Sequence, residues 1–310
     1  MHNPVGRVGG GKPWGAHAVT PLLGDLGEFL VNKFIERFFA GLLGAFLEKY
    51  SPGGFDAVFA KWRTQGIYRD TGLLDRLAER YTCIVFDRRE SGASGGRVEK
   101  VTWGHYAAQG RGLLSHLGVE RAHVLGGCMG CPPATALAVQ HPELVVSLVL
   151  FWPVGGARYR IRGHHRFARH LGYVQEHGLE GVVALARETR ASFGTDPRVG
   201  PWGSVIGRDD AFAEAYANLD PERYRLAVTG MVRALLDRDT APGAEPEDLL
   251  ALDVPTLIVP GHDESHATSA ARYLEECIPG AVYWDVPAAE QAAAGAPDRV
   301  LGFLDGVAWA

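Results

Sequence analysis

The segment Val124-Leu125-Gly126-Gly127-Cys128-Met129-Gly130 decides the fold, because it joins an apolar strand to a helix through a glycine-rich turn. The glycines on either side of Cys128 allow a tight turn that holds this residue in a strained backbone conformation. Cys128 then lies at the start of a predicted helix, where backbone amides and the helix dipole favour a thiolate. The pattern predicts a reactive thiol, with the Met129 amide placed to stabilise an oxyanion. The alternative is a buried structural cysteine in a glycine-rich turn.

Outside this segment, short apolar runs alternate with helical patterns, which predicts an α/β protein with a mostly parallel sheet. The predicted strands are 82–86, 123–125, 145–152, 255–259 and 281–285, and the predicted helices are 73–80, 103–117 and 131–140. Residues 155–250 break this alternation with a long, polar, helical segment. Such an insertion would lie as a cap over the carboxyl ends of the strands, where open α/β sheets bind ligands. The chain thus divides into an irregular and helical N-terminal segment (1–64), a core (65–153 plus 251–310) and a cap (154–250).

An amphipathic stripe runs through residues 25–50 of the N-terminal segment, with apolar residues at spacings of three and four. Charged residues interrupt the stripe, so it cannot be a membrane span of roughly 20 apolar residues. The pattern favours burial against the core or against a partner subunit, and docking on a membrane surface is the alternative.

Composition and charge narrow the function classes. The 310 residues carry a net charge of −5, which provides no basic face for nucleic acid. The four cysteines are too few and too scattered for a disulfide framework, and Cys128 and Cys131 form a single CxxC without the second pair that a zinc site needs. The N-terminus has no signal-peptide pattern. We expect a cytoplasmic protein with reduced thiols, no metal, no cofactor and a small-molecule substrate, while a homodimer stays open.

Four stretches of the chain resemble the α/β-hydrolase superfamily, in its capped α/β-hydrolase-1 type. They are the DRRESGAS turn (87–94), the glycine-flanked cysteine (124–130), the HPE motif with its following strand (141–150) and the LDVPTLIVPGHD stretch (252–263). The resemblance implies a sheet of α/β-hydrolase type with a helical cap inserted after the sixth strand. It also implies that Cys128 takes the nucleophile position, which is usually serine, and that Asp263 is the acid of the catalytic triad.

Two departures from the family pattern concern the base and the oxyanion hole. The family's histidine should follow Pro287, but Ala288-Ala289-Glu290-Gln291 stands there. His266 is the best substitute because it is close to Asp263 in sequence, and Glu290 could also take a proton from a thiol. Two glycine-bearing turns, 52–54 and 64–66, are the candidates for the family's H-G loop, which supplies the second oxyanion amide. The other candidate bases are His262 and the cap histidines His164, His165 and His170.

Substrate contacts are expected from the cap and its entry. Aromatic cap residues such as Trp202 could line an apolar pocket, although such residues more often form a core. Arg158, in a run of alternating arginines, could hold a substrate carboxylate, or it could be solvated or ion-paired. Trp152 leads from the preceding strand into the cap and is a further candidate contact.

The sequence therefore favours a hydrolase of a small ester, lactone or thioester that uses Cys128, Asp263 and His266. The same thiol without a strong base would favour acyl transfer to an amine or thiol acceptor. A third alternative is a non-catalytic binding or accessory protein that keeps the pocket and has lost the triad.

Overall fold

A computed structural model describes residues 57–61, 72–90, 94–292 and 294–307. Its sheet contains six strands in the order β2-β1-β3-β4-β5-β6, and every neighbouring pair is parallel. The strands are β1 (Ala57–Lys61), β2 (Thr82–Phe86), β3 (Ala122–Gly127), β4 (Val145–Phe151), β5 (Thr256–Val259) and β6 (Val282–Tyr283). The predicted α/β class and parallel sheet are confirmed.

Helices connect these strands close to the predicted bounds. The core helices are α1 (Leu73–Ala78), α2 (Trp103–His116), α3 (Cys131–Gln140), α9 (Thr268–Cys277) and α10 (Ala296–Asp305). Between β4 and β5 lie α4 (Ala157–Thr189), α5 (Gly203–Ile206), α6 (Asp210–Ala217), α7 (Pro221–Leu235) and α8 (Pro246–Leu250). Among the helices that the structure describes, none is long and apolar enough to cross a bilayer.

Strand β1 lies within the stretch that the sequence assigned to the N-terminal segment. It is hydrogen-bonded to β2 on one side and to β3 on the other, so residues 57–61 form an interior strand of the described sheet. Five residues without clear periodicity are too short for a pattern to distinguish strand from loop. The amphipathic stripe at 25–50 and the turns at 52–54 and 64–66 lie outside the described residues, as would any strand before β1.

Both faces of the sheet are covered by helices, which explains why β3 and β4 are buried along their whole length. Helices α1 and α10 pack against each other over one face, and α2 and α3 pack together over the other. The first face forms one apolar cluster: Leu73, Leu77, Tyr81, Cys83, Leu125, Val149, Phe151, Leu257, Val259, Ala296, Val300, Leu301 and Leu304. A buried sheet of this kind holds the loops at its carboxyl edge in fixed positions.

The helices between β4 and β5 have a core of their own. Helix α4 is broken at Gly178, whose backbone leaves the helical conformation, so its two parts can pack in different directions. The loop after α4 and helices α5 to α7 pack on it. The largest side chains that are fully buried among these helices are Trp202, Ile206, Tyr216 and Met231.

Candidate active site

The turn after β3 has the geometry that the glycine pattern predicts. β3 ends at Gly127, a short 3-10 turn covers Cys128–Gly130, and α3 begins at Cys131. Cys128 has a positive φ of 52°, a conformation that non-glycine residues rarely adopt outside functional turns. Its side chain is half-buried, between the fully buried core residues and those on the exposed surface. The backbone strain therefore presents a thiol at the carboxyl edge of the sheet.

Two neighbouring residues hold this turn in place. A Cβ atom on Gly126 would lie 2.5 Å from the Gly130 carbonyl oxygen and 2.7 Å from the Cys131 Cα, so the turn closes only over a glycine. The buried Cys131 thiol donates to the carbonyl oxygens of Gly126 at 3.1 Å and Phe151 at 3.6 Å. Cys131 thus ties the start of α3 to β3 and β4 and has a structural position, whereas Cys128 faces the edge of the sheet.

We predict that Gly126→Ala destabilises the fold by about 1–3 kcal/mol, because the new methyl group overlaps backbone atoms that cannot move aside. Gly112→Ala is the matched control. Gly112 lies inside α2 with nothing within 4 Å of its Cβ position, so alanine there should stabilise by about 0.5–1 kcal/mol. Urea unfolding of both variants measures the difference. Equal stabilities for the two variants would show that the turn tolerates a side chain at residue 126.

The loop after β5 carries a hydrogen-bonded aspartate and histidine. Asp263 Oδ2 lies 2.7 Å from His266 Nδ1, and Asp263 Oδ1 accepts the backbone N–H groups of Ser265 at 2.7 Å and His266 at 3.0 Å. The Asp263 side chain is 48% exposed and the His266 side chain 13% exposed. One carboxylate therefore shapes the loop and orients the imidazole at the same time.

Interactions among Asp263, His266 and Cys128 shift the pKa values of Asp263 and His266. Burial alone would lower the pKa of His266, but hydrogen bonding and charge interaction with Cys128, together with Asp263, raise it overall. Burial opposes ionisation of Asp263, yet its hydrogen bonds with His266 and Ser265 bring its pKa below the ordinary value. Because Nδ1 is bonded to Asp263, the buried Nε2 of His266 is the ring nitrogen left to accept the Cys128 proton.

Trp152 and Gly261 both pack against His266 and help to fix the position of its imidazole. The Trp152 ring lies 5.6 Å from the His266 ring between centroids, and Trp152 has a positive φ of 53° directly after β4. A Cβ on Gly261 would lie 2.5 Å from the His266 Cβ, so a glycine is needed for the histidine to pack there. β4 lies between β3 and β5 in the sheet, and Trp152 is thus close to His266 because of strand order.

The region after β6, where the family's histidine was expected, holds a buried glutamine. Gln291 is 1% exposed, its Oε1 accepts from Trp152 Nε1 at 2.7 Å, and its Nε2 donates to the Pro260 carbonyl at 2.7 Å. Glu290, the residue singled out from the sequence, is exposed. A single amide among alanines carries no local pattern, which explains why sequence reasoning missed Gln291.

The remaining candidate bases lie elsewhere. His262 is exposed, with its Nδ1 3.3 Å from Thr268 Oγ1. His164 and His165 are also exposed on α4. His170 is fully buried among the helices between β4 and β5, where burial lowers its pKa to about 4 and its Nδ1 lies 2.9 Å from the Arg198 carbonyl. A neutral histidine in that environment contributes to packing among these helices.

The residues that the sequence suggested as substrate contacts lie in different environments. Arg158 is 77% exposed and pairs with Glu264 at 3.7 Å. Trp202 is 1% exposed, and its ring centroid lies 6.1 Å from that of Tyr224 within the core of the helices between β4 and β5. Tyr159, in contrast, reaches the turn after β3: its hydroxyl donates to Met129 Sδ at 2.7 Å. Helix α4 therefore touches the residue whose amide is the candidate oxyanion donor.

No metal centre is indicated in the part of the chain that the structure describes, because no three His, Cys, Asp or Glu side chains converge there as ligands would. The arrangement that the described residues do form is a thiol, an imidazole and a carboxylate at one edge of a parallel sheet. Such a set can carry out nucleophilic attack with proton transfer.

Comparison with known proteins places the fold. The family model of the α/β hydrolase fold matches residues 52–290. A solved meta-cleavage product hydrolase mutant is 21% identical, covers 82% of this chain and 92% of its own, and superposes with a TM-score of 0.51.

Two curated relatives match shorter stretches. The dihydrolipoyllysine-residue acetyltransferase component of the acetoin cleaving system of Cupriavidus necator is 38% identical over 82 residues, which are 26% of this chain and 22% of the relative. The 2-hydroxy-6-oxononadienedioate/2-hydroxy-6-oxononatrienedioate hydrolase of a Pseudomonas species is 35% identical over 79 residues, which are 25% and 28%. The chain thus spans about a quarter of each relative's length. The match to the family model over most of the chain shows that this protein belongs to the α/β-hydrolase fold family.

Proposed function

We propose that this protein is a cysteine-dependent hydrolase of small esters, lactones or thioesters. The observation that carries the proposal is the His266–Asp263 pair, 2.7 Å apart, whose imidazole interacts with the Cys128 thiol. A nucleophile, a base and a group that orients the base are the three parts that acyl transfer through a covalent intermediate needs.

The first half-reaction forms an acyl-enzyme. His266 Nε2 takes the Cys128 proton, and the sulfur forms a bond to the substrate carbonyl carbon. The negative charge moves to the carbonyl oxygen, where the Met129 amide would donate a hydrogen bond. When the tetrahedral intermediate collapses, the bond to the leaving oxygen or sulfur breaks, and the His266 imidazolium returns the proton to that leaving group. Asp263 stabilises the imidazolium throughout.

The second half-reaction releases the acid. His266 takes a proton from water, and the resulting hydroxide adds to the thioester carbonyl of the acyl-enzyme. The bond to Cys128 Sγ then breaks, the sulfur regains a proton from His266, and the carboxylic acid leaves. Because His266 is oriented by Asp263, water can be activated, which favours hydrolysis over acyl transfer to another acceptor.

Mass spectrometry of the intact protein mixed with 4-nitrophenyl acetate tests the proposal. We expect an acetyl adduct that maps to the peptide containing Cys128 and decays with the release of acetate. Adding a thiol such as coenzyme A or a primary amine should not divert the acetyl group. Quantitative transfer to the acceptor would instead show an acyltransferase, and the absence of both an adduct and turnover would indicate a binding protein.

A further inference from the structure

Tyr159 lies on the first turn of α4, and the chain that leads into this turn is fixed to the loop of Asp263 and His266. The backbone N–H of Gly155 donates to the Ser265 carbonyl at 3.0 Å, and Gly155 forms a parallel β-bridge with His266. The start of α4 is therefore held against the loop after β5, at the carboxyl edge of the sheet.

The side chain of Tyr159 reaches the turn that carries the nucleophile. Its hydroxyl donates to Met129 Sδ at 2.7 Å, and Met129 directly follows Cys128 in the turn after β3. Strand β4, which leads into α4, lies between β3 and β5 in the sheet. The phenol thus extends from the side of the His266 loop to the nucleophile turn, across the edge where a substrate carbonyl would meet Cys128.

The Tyr159 hydroxyl is a protonated donor that has a weak acceptor. Burial raises its pKa, and the negative charge of Cys128 adds to that shift while Arg88 opposes it, so the hydroxyl keeps its proton at neutral pH. Met129 Sδ is the one hydrogen-bond partner of this hydroxyl among the described residues, and a thioether sulfur accepts only weakly. A negatively charged oxygen is a much stronger acceptor, and a methionine side chain is flexible enough to release the hydroxyl.

We propose that Tyr159 is a catalytic residue that donates a hydrogen bond to the carbonyl oxygen of the tetrahedral intermediate. The proposal rests on the proposed function, because it adds an oxyanion donor to the Met129 amide at that site. When Cys128 Sγ bonds to the carbonyl carbon, the π electrons of the carbonyl move to its oxygen, and the Tyr159 hydroxyl turns from Met129 Sδ to that oxygen. The tyrosine keeps its proton throughout, and the hydrogen bond weakens when the carbonyl forms again.

A reversible adduct and an alkylation separate an effect on the oxyanion from an effect on the thiol. Trifluoroacetone adds to Cys128 Sγ and gives a tetrahedral hemithioketal with the negative charge on its oxygen, and fluorine NMR measures its Kd. In the reaction with iodoacetamide the sulfur displaces iodide and no oxyanion forms, and mass spectrometry measures the rate. The variant is Tyr159→Phe, which removes the hydroxyl alone. Tyr173→Phe is the matched control further along α4, where the Tyr173 ring lies beside Arg198 and His177.

We expect Tyr159→Phe to weaken the trifluoroacetone adduct about 10- to 100-fold, as the loss of one hydrogen bond to a charged oxygen predicts. The rate with iodoacetamide should stay within about twofold of the native rate. The kcat/KM for 4-nitrophenyl acetate should fall by a factor similar to that of the adduct, because the hydrogen bond becomes strong only in the transition state. Tyr173→Phe should change none of the three quantities.

Two results would overturn the assignment. One is an unchanged Kd for trifluoroacetone in Tyr159→Phe, and the other is an equal loss in adduct formation and alkylation, which would show that Tyr159 acts on the thiol or on the fold. If thermal unfolding shows that Tyr159→Phe is not folded, Tyr159→His and Tyr159→Leu make the same comparison. The histidine keeps a ring N–H donor and should bind trifluoroacetone more tightly than the leucine variant, and equal binding by both would contradict a donor role.

The adduct also separates this inference from the proposed function. If the native protein binds trifluoroacetone in a Tyr159-dependent way but does not hydrolyse the ester, the proposed hydrolase fails and the oxyanion donor stands. If Tyr159→Phe retains the native ester hydrolysis and the native Kd, the donor fails and the hydrolase stands. The absence of any adduct on the native protein would overturn the donor as well.

Discussion

Cys128→Ala is expected to lower kcat for a 4-nitrophenyl ester by at least about 1,000-fold, because removal of a covalent nucleophile leaves only binding and the oxyanion donors. Cys128→Ser should keep a measurable fraction of the activity, since the His266–Asp263 pair can also take a proton from a hydroxyl. Steady-state release of 4-nitrophenolate measures both variants.

Two other cysteines provide the controls for this result. Cys277 is half-buried on α9, away from the turn after β3, so Cys277→Ala should leave kcat within about twofold of the native value. Cys131→Ala should reduce stability instead, because the Cys131 thiol donates to the Gly126 and Phe151 carbonyls. Full ester hydrolysis by Cys128→Ala would contradict the proposed nucleophile.

His266→Ala is expected to lower kcat by about 100-fold to 10,000-fold, which is the usual contribution of a positioned general base. The loss should appear in both half-reactions, because the same imidazole protonates the leaving group and activates water. Acyl-enzyme should still form slowly from an activated ester and should then persist. Burst kinetics and intact mass spectrometry separate these two steps.

The neighbouring candidate bases are the matched controls for His266. His262→Ala removes an exposed histidine from the same loop, and Glu290→Gln removes an exposed carboxylate beside Gln291. Both variants should keep kcat within about twofold, since neither side chain contacts Asp263 or Cys128 among the contacts of the described residues. A large loss with either of them, together with an active His266→Ala, would assign the base elsewhere.

Gln291 shows how the site accommodates a missing histidine. Its amide bonds to Trp152 and to the Pro260 carbonyl, and Trp152 packs on His266. A buried amide can satisfy both a donor and an acceptor in this way, which a carboxylate such as Glu290 could do only at the cost of burying a charge. We therefore propose that His266, three residues after Asp263 on the loop after β5, takes the place of the missing histidine.

Much of the fold could be predicted from local patterns in the sequence. The strands at 82–86 and 145–151 and the helix at 131–140 are contiguous segments with a clear periodicity, and each ends close to its predicted bound. Strand β1 was not predicted, because its five residues carry no periodicity and its pairing partners lie far along the chain.

The candidate site likewise combines features that local sequence predicts with contacts that depend on the folded chain. The sequence by itself determined the glycine-flanked turn that presents Cys128 and the position of Asp263 after β5, because both depend on backbone geometry that neighbouring residues dictate. Only the tertiary structure decided that His266, among six candidate bases, interacts with Cys128, and that Gln291 is buried whereas Glu290 is exposed. Those contacts join loops from separate strands, and strand order in the folded sheet brings them together.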